Sequence, residues 1–84
     1  MIMSTASTIH GTIRSFIAEV FIVDNFDDDA SFMEQGVIDS TGMLELISFV
    51  ETTYGFKIAD NELVPQNLDS LNHVAAFIER KKGR

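Results

Sequence analysis

The sequence predicts an all-α protein, a small four-helix bundle made of three main helices, a short third helix and a long first loop. The chain has 84 residues, 45% of them hydrophobic, which is enough for one globular domain with a modest core. Apolar residues recur at helical spacing in three segments, whereas strand patterns are weak throughout. We therefore predict a single domain over residues 1–84, structured over 7–80 and flexible over 1–6 and 81–84.

The first predicted helix covers residues 7–23. Ser7 or Thr8 can cap its start, although Gly11 weakens the first turn by about 1 kcal/mol relative to alanine. Its apolar side chains follow the spacing of one helix face. They are Ile9, Ile13, Phe16, Ile17 and Val20, with Phe21 beside them.

A long acidic loop is predicted between the first two main helices. It opens at Asp24 and Asn25, which end the first helix. Ser31 and Glu34 have the spacing of a capping box, so we expect one helical turn inside the loop, ending at Gly36.

The second main helix begins at Ser40 and closes at Gly55, a residue type that favours helix C-termini. At 100° per residue, Leu44 falls on the polar side of this helix, away from the core. The predicted core face consists of Met43, Leu46, Ile47, Val50 and Tyr54, with Phe49 on its flank.

The last third of the chain predicts two further helical segments. A short turn is expected over residues 60–63, before Pro65 interrupts it. Asp69 or Ser70 then caps a final helix, whose last turn carries basic residues that suit the negative end of the helix dipole.

Composition and charge exclude several kinds of protein. The chain has no cysteine, so it forms no disulfide and has no thiol nucleophile of its own. Eleven of its thirteen acidic residues lie between Asp24 and Asp69, where Lys57 is the single basic residue. Such a region repels nucleic acid and anionic membranes and favours partners with basic patches, although the net charge of −7 also serves solubility by itself.

The N-terminal region resembles neither a signal peptide nor a membrane anchor. Residues 1–5 lack a basic segment followed by a long apolar one. The apolar run over residues 20–23 is far shorter than the about 20 residues that span a bilayer. We expect a cytoplasmic, monomeric protein.

Metal binding is not favoured by the sequence. In the acidic loop, an EF-hand register starting at Asp27 places Phe32 at the glycine position and Ile38 at the final glutamate position. His10 and His73 lie on separate helices without a second ligand at helical spacing. They are interpreted as ordinary surface or edge histidines.

The pair Asp39-Ser40 lies where the acidic loop becomes the second helix. Ser40 could be an ordinary N-cap, yet its hydroxyl is also presented at the positive end of a helix dipole, where a phosphate is favoured. Asp39 is itself a capping residue, so one member of the pair is redundant for capping. Ile38 before the pair could anchor the loop, and exposed Leu44 follows one turn later.

These residues resemble the attachment site of acyl and peptidyl carrier proteins. The resemblance is carried by the sequence GVIDSTGMLEL over residues 36–46, SFMEQG over 31–36 and LDSL over 68–71, and it covers residues 7–80. It is strongest to free-standing acyl or aminoacyl carriers. Thr41 and Gly42 depart from the leucine and acidic residue that are usual in fatty-acid carriers, and Thr52 and Thr53 stand where carboxylates are frequent.

The resemblance implies a non-catalytic carrier with 4′-phosphopantetheine, derived from coenzyme A, on Ser40. It implies that Asp39 contacts metal and phosphates in the complex with a phosphopantetheinyl transferase. Further implied partners are an acyl- or aminoacyl-adenylating ligase and a downstream acyltransferase or synthase. The implied partner-binding residues on the second helix are Thr41, Leu44, Glu45, Ser48 and Glu51.

Two other functions remain compatible with the residues. An unmodified acidic bundle could dock a basic partner protein through its second helix. A small hydrolase using Ser40 is less favoured, because Asp39 and Ser40 are adjacent and no histidine stands between them to complete a triad.

Overall fold

The computed structural model describes residues 5–23 and 26–82, with side chains from residue 8 onward. Within these residues the chain forms four helices and no strand, which confirms the predicted all-α four-helix bundle. The long first loop joins the first two helices, and a 3₁₀ turn precedes the short third helix. The helices are α1 (Thr5–Phe21), α2 (Ser40–Tyr54), α3 (Pro65–Leu68) and α4 (Leu71–Lys82), and the 3₁₀ turn is Asp60–Glu62.

The first helix differs from the prediction at both ends. It is already helical at Thr5, so Ser7 and Thr8 lie inside α1 and do not cap it. It ends at Phe21, while the predicted terminators Asp24 and Asn25 lie outside the described residues. Of the predicted flexible ends, Thr5, Ala6, Lys81 and Lys82 lie in helices, and residues 1–4 and 83–84 are outside the described range.

Pro65 begins α3, where the sequence predicted an interruption. The first position of a helix suits proline, because its missing N–H has no partner inside the helix there. Ser70 caps α4, as predicted, since its Oγ accepts a hydrogen bond from the backbone N–H of His73 at 3.1 Å.

The core lies where the apolar faces of the three long helices meet. Along α1 the isoleucines at 9, 13 and 17 are almost fully buried, but Val20, the next residue of the predicted stripe, is 43% exposed. The second helix contributes Leu46 and Val50, as predicted. Other buried apolar residues are Phe32, Ile38, Ile58, Leu68, Leu71, Val74, Ala75, Phe77 and Ile78.

The first loop is held against the junction between α3 and α4. Its predicted helical turn is present, with Ser31 Oγ accepting from the backbone N–H of Glu34 at 3.1 Å. The same hydroxyl donates to Asp69 Oδ2 at 2.5 Å, and the backbone N–H of Phe32 donates to the Asp69 carbonyl at 2.8 Å. Asn72 adds a hydrogen bond from its N–H to the Asp28 carbonyl at 2.9 Å. The loop is therefore fixed before it reaches α2.

Gly42 in the first turn of α2 permits a close contact with α1. A Cβ atom on Gly42 would lie 2.5 Å from Cε1 of Phe21 and 3.1 Å from Cγ2 of Ile38, so no side chain fits between them. Phe21 also makes an edge-to-face contact with Phe16, which stacks on Phe49 of α2 at a centroid distance of 4.1 Å. This aromatic cluster joins the two helices.

We expect Gly42→Ala to lower the free energy of unfolding by about 1 kcal/mol. Overpacking against Phe21 costs about 1–3 kcal/mol, and the better helix propensity of alanine returns about 1 kcal/mol. Urea denaturation followed by circular dichroism measures the change. Gly11→Ala is the matched control, because nothing lies within 4 Å of a Cβ at that position and alanine there should stabilise the protein. Equal stabilisation by both substitutions would contradict the close contact.

Candidate functional site

Ser40 is the first residue of α2, and its side chain is exposed. Two residues earlier, Ile38 is 1% exposed, so the chain enters the helix from a point buried in the core. The N–H groups of the first turn of a helix point toward its N-terminal end and make that end electropositive. The hydroxyl of Ser40 is therefore accessible at a place suited to an anionic substituent.

Asp39, and not Ser40, caps α2. Its backbone is extended (φ −94°, ψ −176°), its Oδ1 accepts a hydrogen bond from the N–H of Gly42 at 2.7 Å, and its carbonyl accepts one from Met43 at 2.9 Å. This arrangement is the usual geometry of an aspartate N-cap. Ser40 is therefore not the N-cap of α2, which excludes one of the two interpretations left open for this residue. The hydroxyl of Ser40 is not needed to start the helix.

An apolar groove of about 410 Å³ adjoins Ser40. Its polar side carries Ser31, Glu34 and Asp69. Sequence reasoning missed this groove, because it exists only where α3 and the preceding segment pack beside α2. Its principal apolar lining residues are Met33, Met43, Ile47, Leu63, Val64 and Leu68.

The outer face of α2 carries the five residues that the sequence predicted to bind partners. Leu44 is 66% exposed, which confirms that it lies off the core face. Thr41, Glu45 and Ser48 are also exposed. Glu51 is half-buried, and its Oε2 accepts a hydrogen bond from the backbone N–H of Ile58 at 2.9 Å, so this carboxylate also ties α2 to the segment that follows it.

The histidines and the carboxylates of Asp27, Asp28 and Asp29 in the first loop do not line the groove beside Ser40. His10 Nε2 lies 2.6 Å from Asn72 Oδ1, and the amide nitrogen of Asn72 donates a hydrogen bond to Asp29 Oδ1 at 2.5 Å. Asp28 pairs with Arg14. Over residues 5–23 and 26–82, no three acidic, histidine or cysteine side chains are grouped to hold a metal ion. No helix in the same part of the chain has the length and hydrophobicity needed to cross a membrane.

Comparison with known proteins identifies the family. The family described as "phosphopantetheine attachment site" matches residues 11–78, a region that contains all of α2 and the groove. The chain therefore belongs to this family, the acyl and aminoacyl carrier proteins, whose members carry covalently attached 4′-phosphopantetheine. This confirms the predicted family and cofactor.

Individual relatives agree with this assignment. The D-alanyl carrier protein of Abiotrophia defectiva is 27% identical over 55 residues, which cover 66% of this chain and 70% of the relative. The fold matches a chain in the crystal structure of the Bradyrhizobium japonicum glycine:carrier protein ligase complexed with glycylated carrier protein. That match has a TM-score of 0.69 and 19% identity, and it covers 88% of this chain and 99% of that chain.

We expect Asp39→Ala to lower the free energy of unfolding by about 1 kcal/mol, because the N–H of Gly42 loses its capping partner. Asp39→Asn should remain within a few tenths of a kcal/mol of wild type, since asparagine caps helices about as well as aspartate. Chemical denaturation of the three proteins in parallel measures both changes. If the two substitutions destabilise α2 equally, the carboxylate acts through its charge and not as a cap.

Proposed function

We propose that this protein carries a small acyl or aminoacyl group as a thioester on a 4′-phosphopantetheine arm attached to Ser40, and that it is not itself an enzyme. The proposal rests on one observation above the others. Ser40 presents an exposed hydroxyl at the first position of α2 while Asp39 caps the helix. The family to which the chain belongs supports the same role.

Attachment requires a phosphopantetheinyl transferase and coenzyme A. Ser40 Oγ attacks the phosphorus that bears the pantetheine, and the bond from this phosphorus to the departing adenosine 3′,5′-bisphosphate breaks. The hydroxyl proton of Ser40 passes to a base of the transferase. The resulting phosphodiester carries one negative charge at the N-terminus of α2, where the helix dipole stabilises it.

The residues around Ser40 are compatible with such an arm. The groove that includes Ser40 offers apolar side chains, among them Met43, Ile47 and Leu68, against which a flexible substituent can lie. When bound, the arm supplies the thiol that forms the thioester, and the chain, which has no cysteine, needs one from this source.

Asp39 is proposed to have a second function during attachment. Its Oδ1 caps α2, but a carboxylate next to Ser40 also offers oxygen ligands for a metal ion held with the phosphates of coenzyme A in the transferase complex. Asp39→Asn, which retains a capping oxygen without the charge, separates this function from capping.

The cargo is proposed to be small, on the evidence of the relatives. One relative is a D-alanyl carrier protein, and the matched solved structure contains a glycylated carrier protein with its ligase. By analogy, a ligase that adenylates a carboxylic or amino acid loads this carrier, and a downstream acyltransferase or synthase receives the group in a biosynthetic reaction. We place the protein in the cytoplasm, as a monomer, without nucleic-acid or membrane partners.

A serine hydrolase is less well supported. The residues lining the groove around Ser40 include Glu34 and Asp69 but neither histidine of the chain. Asp69 accepts hydrogen bonds from Ser31 Oγ at 2.5 Å and from the backbone N–H of Met33 at 3.3 Å, which suits an anchoring residue better than a general base.

Intact-mass spectrometry tests the attachment site. Incubation with a phosphopantetheinyl transferase of broad specificity and coenzyme A should add the mass of one phosphopantetheinyl group to the wild type. Ser40→Ala should receive none, because the acceptor oxygen is missing. Thr52→Ala, which removes another exposed hydroxyl of α2, should be modified like the wild type. An unmodified wild type would refute the proposal and favour the docking-only acidic bundle.

Leu44→Asp tests the outer face of α2. We expect loading of the modified protein by an adenylating ligase to fall about tenfold, because an apolar contact is replaced by a charge that must be desolvated. The reactions contain ATP and a panel of ligases with carboxylic acids, including the glycine:carrier protein ligase with glycine. Loading is measured by intact-mass spectrometry. Far-ultraviolet circular dichroism should be unchanged.

The matched control for Leu44 is Ala76→Asp, which introduces the same charge at an exposed position of α4. It should be loaded at the wild-type rate. If Leu44→Asp is loaded as fast as Ala76→Asp, this face does not contact the ligase.

A further inference from the structure

The C-terminal end of α1 exposes apolar side chains that the core does not use. Ile17 is fully buried, but Val20 is 43% exposed and Ile22, the first residue after the helix, is 89% exposed. A single exposed apolar residue is common on protein surfaces and needs no explanation. Two such residues stand two positions apart at one end of one helix, and they are here called the α1-end patch (Val20 and Ile22).

Ile22 is also unfavourable for its backbone. Over the described residues it is the only non-glycine residue with a positive φ, at +55°. The left-handed conformation is unfavourable for a typical L-residue, and a β-branched residue is a genuine outlier there, whereas glycine or asparagine adopts it readily. Folding therefore gains nothing from isoleucine at this position, either through burial or through backbone geometry. Such outliers are concentrated at functional sites.

The α1-end patch lies beside the start of α2. Phe21, which immediately precedes Ile22, contacts Gly42 so closely that no Cβ fits between them. Gly42 belongs to the first turn of α2, two residues after Ser40. The exposed apolar side chain of Ile22 is thus one residue removed from a contact with the helix turn that bears Ser40.

We propose that Ile22, with Val20, is an apolar contact for the phosphopantetheinyl transferase that modifies Ser40, an inference that rests on the proposed function. The hydroxyl of Ser40 is attached directly to the helix, so the enzyme that reacts with it must cover the surrounding surface. A circular interface of about 800 Å² on each partner, centred on Ser40, has a radius of about 16 Å. Because Phe21 contacts Gly42, two residues after Ser40, we infer that such an interface reaches the end of α1. Enzymes that act at the end of a flexible arm are under no such constraint.

The exposed charges of α1 and α2 define the complementary surface. No basic residue occurs between Arg14 and Lys57, whereas Glu19 on α1 and Glu45 on α2 are exposed carboxylates. The partner surface therefore has an apolar depression bordered by lysine or arginine side chains. The partner is thus a phosphopantetheinyl transferase whose surface combines an apolar depression with basic side chains around it.

The test compares Ile22→Asn, Ile22→Leu and the wild type as substrates of one phosphopantetheinyl transferase of broad specificity with coenzyme A. Asparagine accepts the left-handed backbone but removes the apolar contact, while leucine keeps an apolar side chain. For Ile22→Asn we expect an about fivefold higher KM for the carrier, with kcat unchanged. Its urea midpoint should equal or exceed that of the wild type. Ile22→Leu should stay within about twofold of the wild-type KM.

Thr53→Asn is the matched control, because Thr53 is β-branched and exposed at the opposite end of α2. It should not change KM. An unchanged KM in Ile22→Asn, while the wild type is modified, refutes this inference and leaves the proposed function standing. A wild type that receives no phosphopantetheine refutes the proposed function itself.

Three further results would also overturn the inference. A lower urea midpoint in Ile22→Asn would assign the residue to the fold. An unchanged transfer KM together with slower loading by a ligase would assign the patch to the ligase. A shift from dimer to monomer in sedimentation, with transfer unchanged, would assign the patch to a second copy of this chain.

Discussion

The side chain of Asp39 accepts a hydrogen bond from the backbone N–H of Gly42 at 2.7 Å, and this contact determines where α2 begins. Because Asp39 satisfies an N–H group of the first turn, the neighbouring hydroxyl of Ser40 is not needed as a cap. The cap and the proposed attachment group are thus provided by two adjacent residues. A serine that both capped the helix and accepted a phosphoryl group would lose its cap on modification.

The position of this helix start depends in turn on the anchored first loop. Phe32 and Ile38 are buried in the core, and Asp69 binds the loop through its carbonyl and both carboxylate oxygens. Residues far apart in the chain therefore set the place of Ser40. The same packing creates the groove beside it, with Asp69 on the polar side. The contacts that hold the first loop in the fold are therefore also the contacts that position the candidate site.

Helical periodicity correctly predicted the long helices, the buried residues Leu46 and Val50, and the exposure of Leu44. It was wrong where a local pattern competes with tertiary context. Val20 has the spacing of a core residue, but it is exposed near the end of α1. Pro65 is a helix breaker by composition, yet it begins α3, because its constraints apply to helix interiors and not to the first position.

Local rules that act over a few residues sufficed for the all-helical architecture, the capped start at Asp39 and Ser40, and the resemblance to carrier proteins. From the sequence, Gly42 was noted only as a departure from the acidic residue usual in fatty-acid carriers, whereas its actual role is to admit Phe21, which lies 21 positions earlier. The groove at Ser40, the anchoring by Asp69 and the exposure of Ile22 likewise depend on which distant segments meet. Spacing along one helix carries no information about what packs against it, so these features were accessible only from the folded chain.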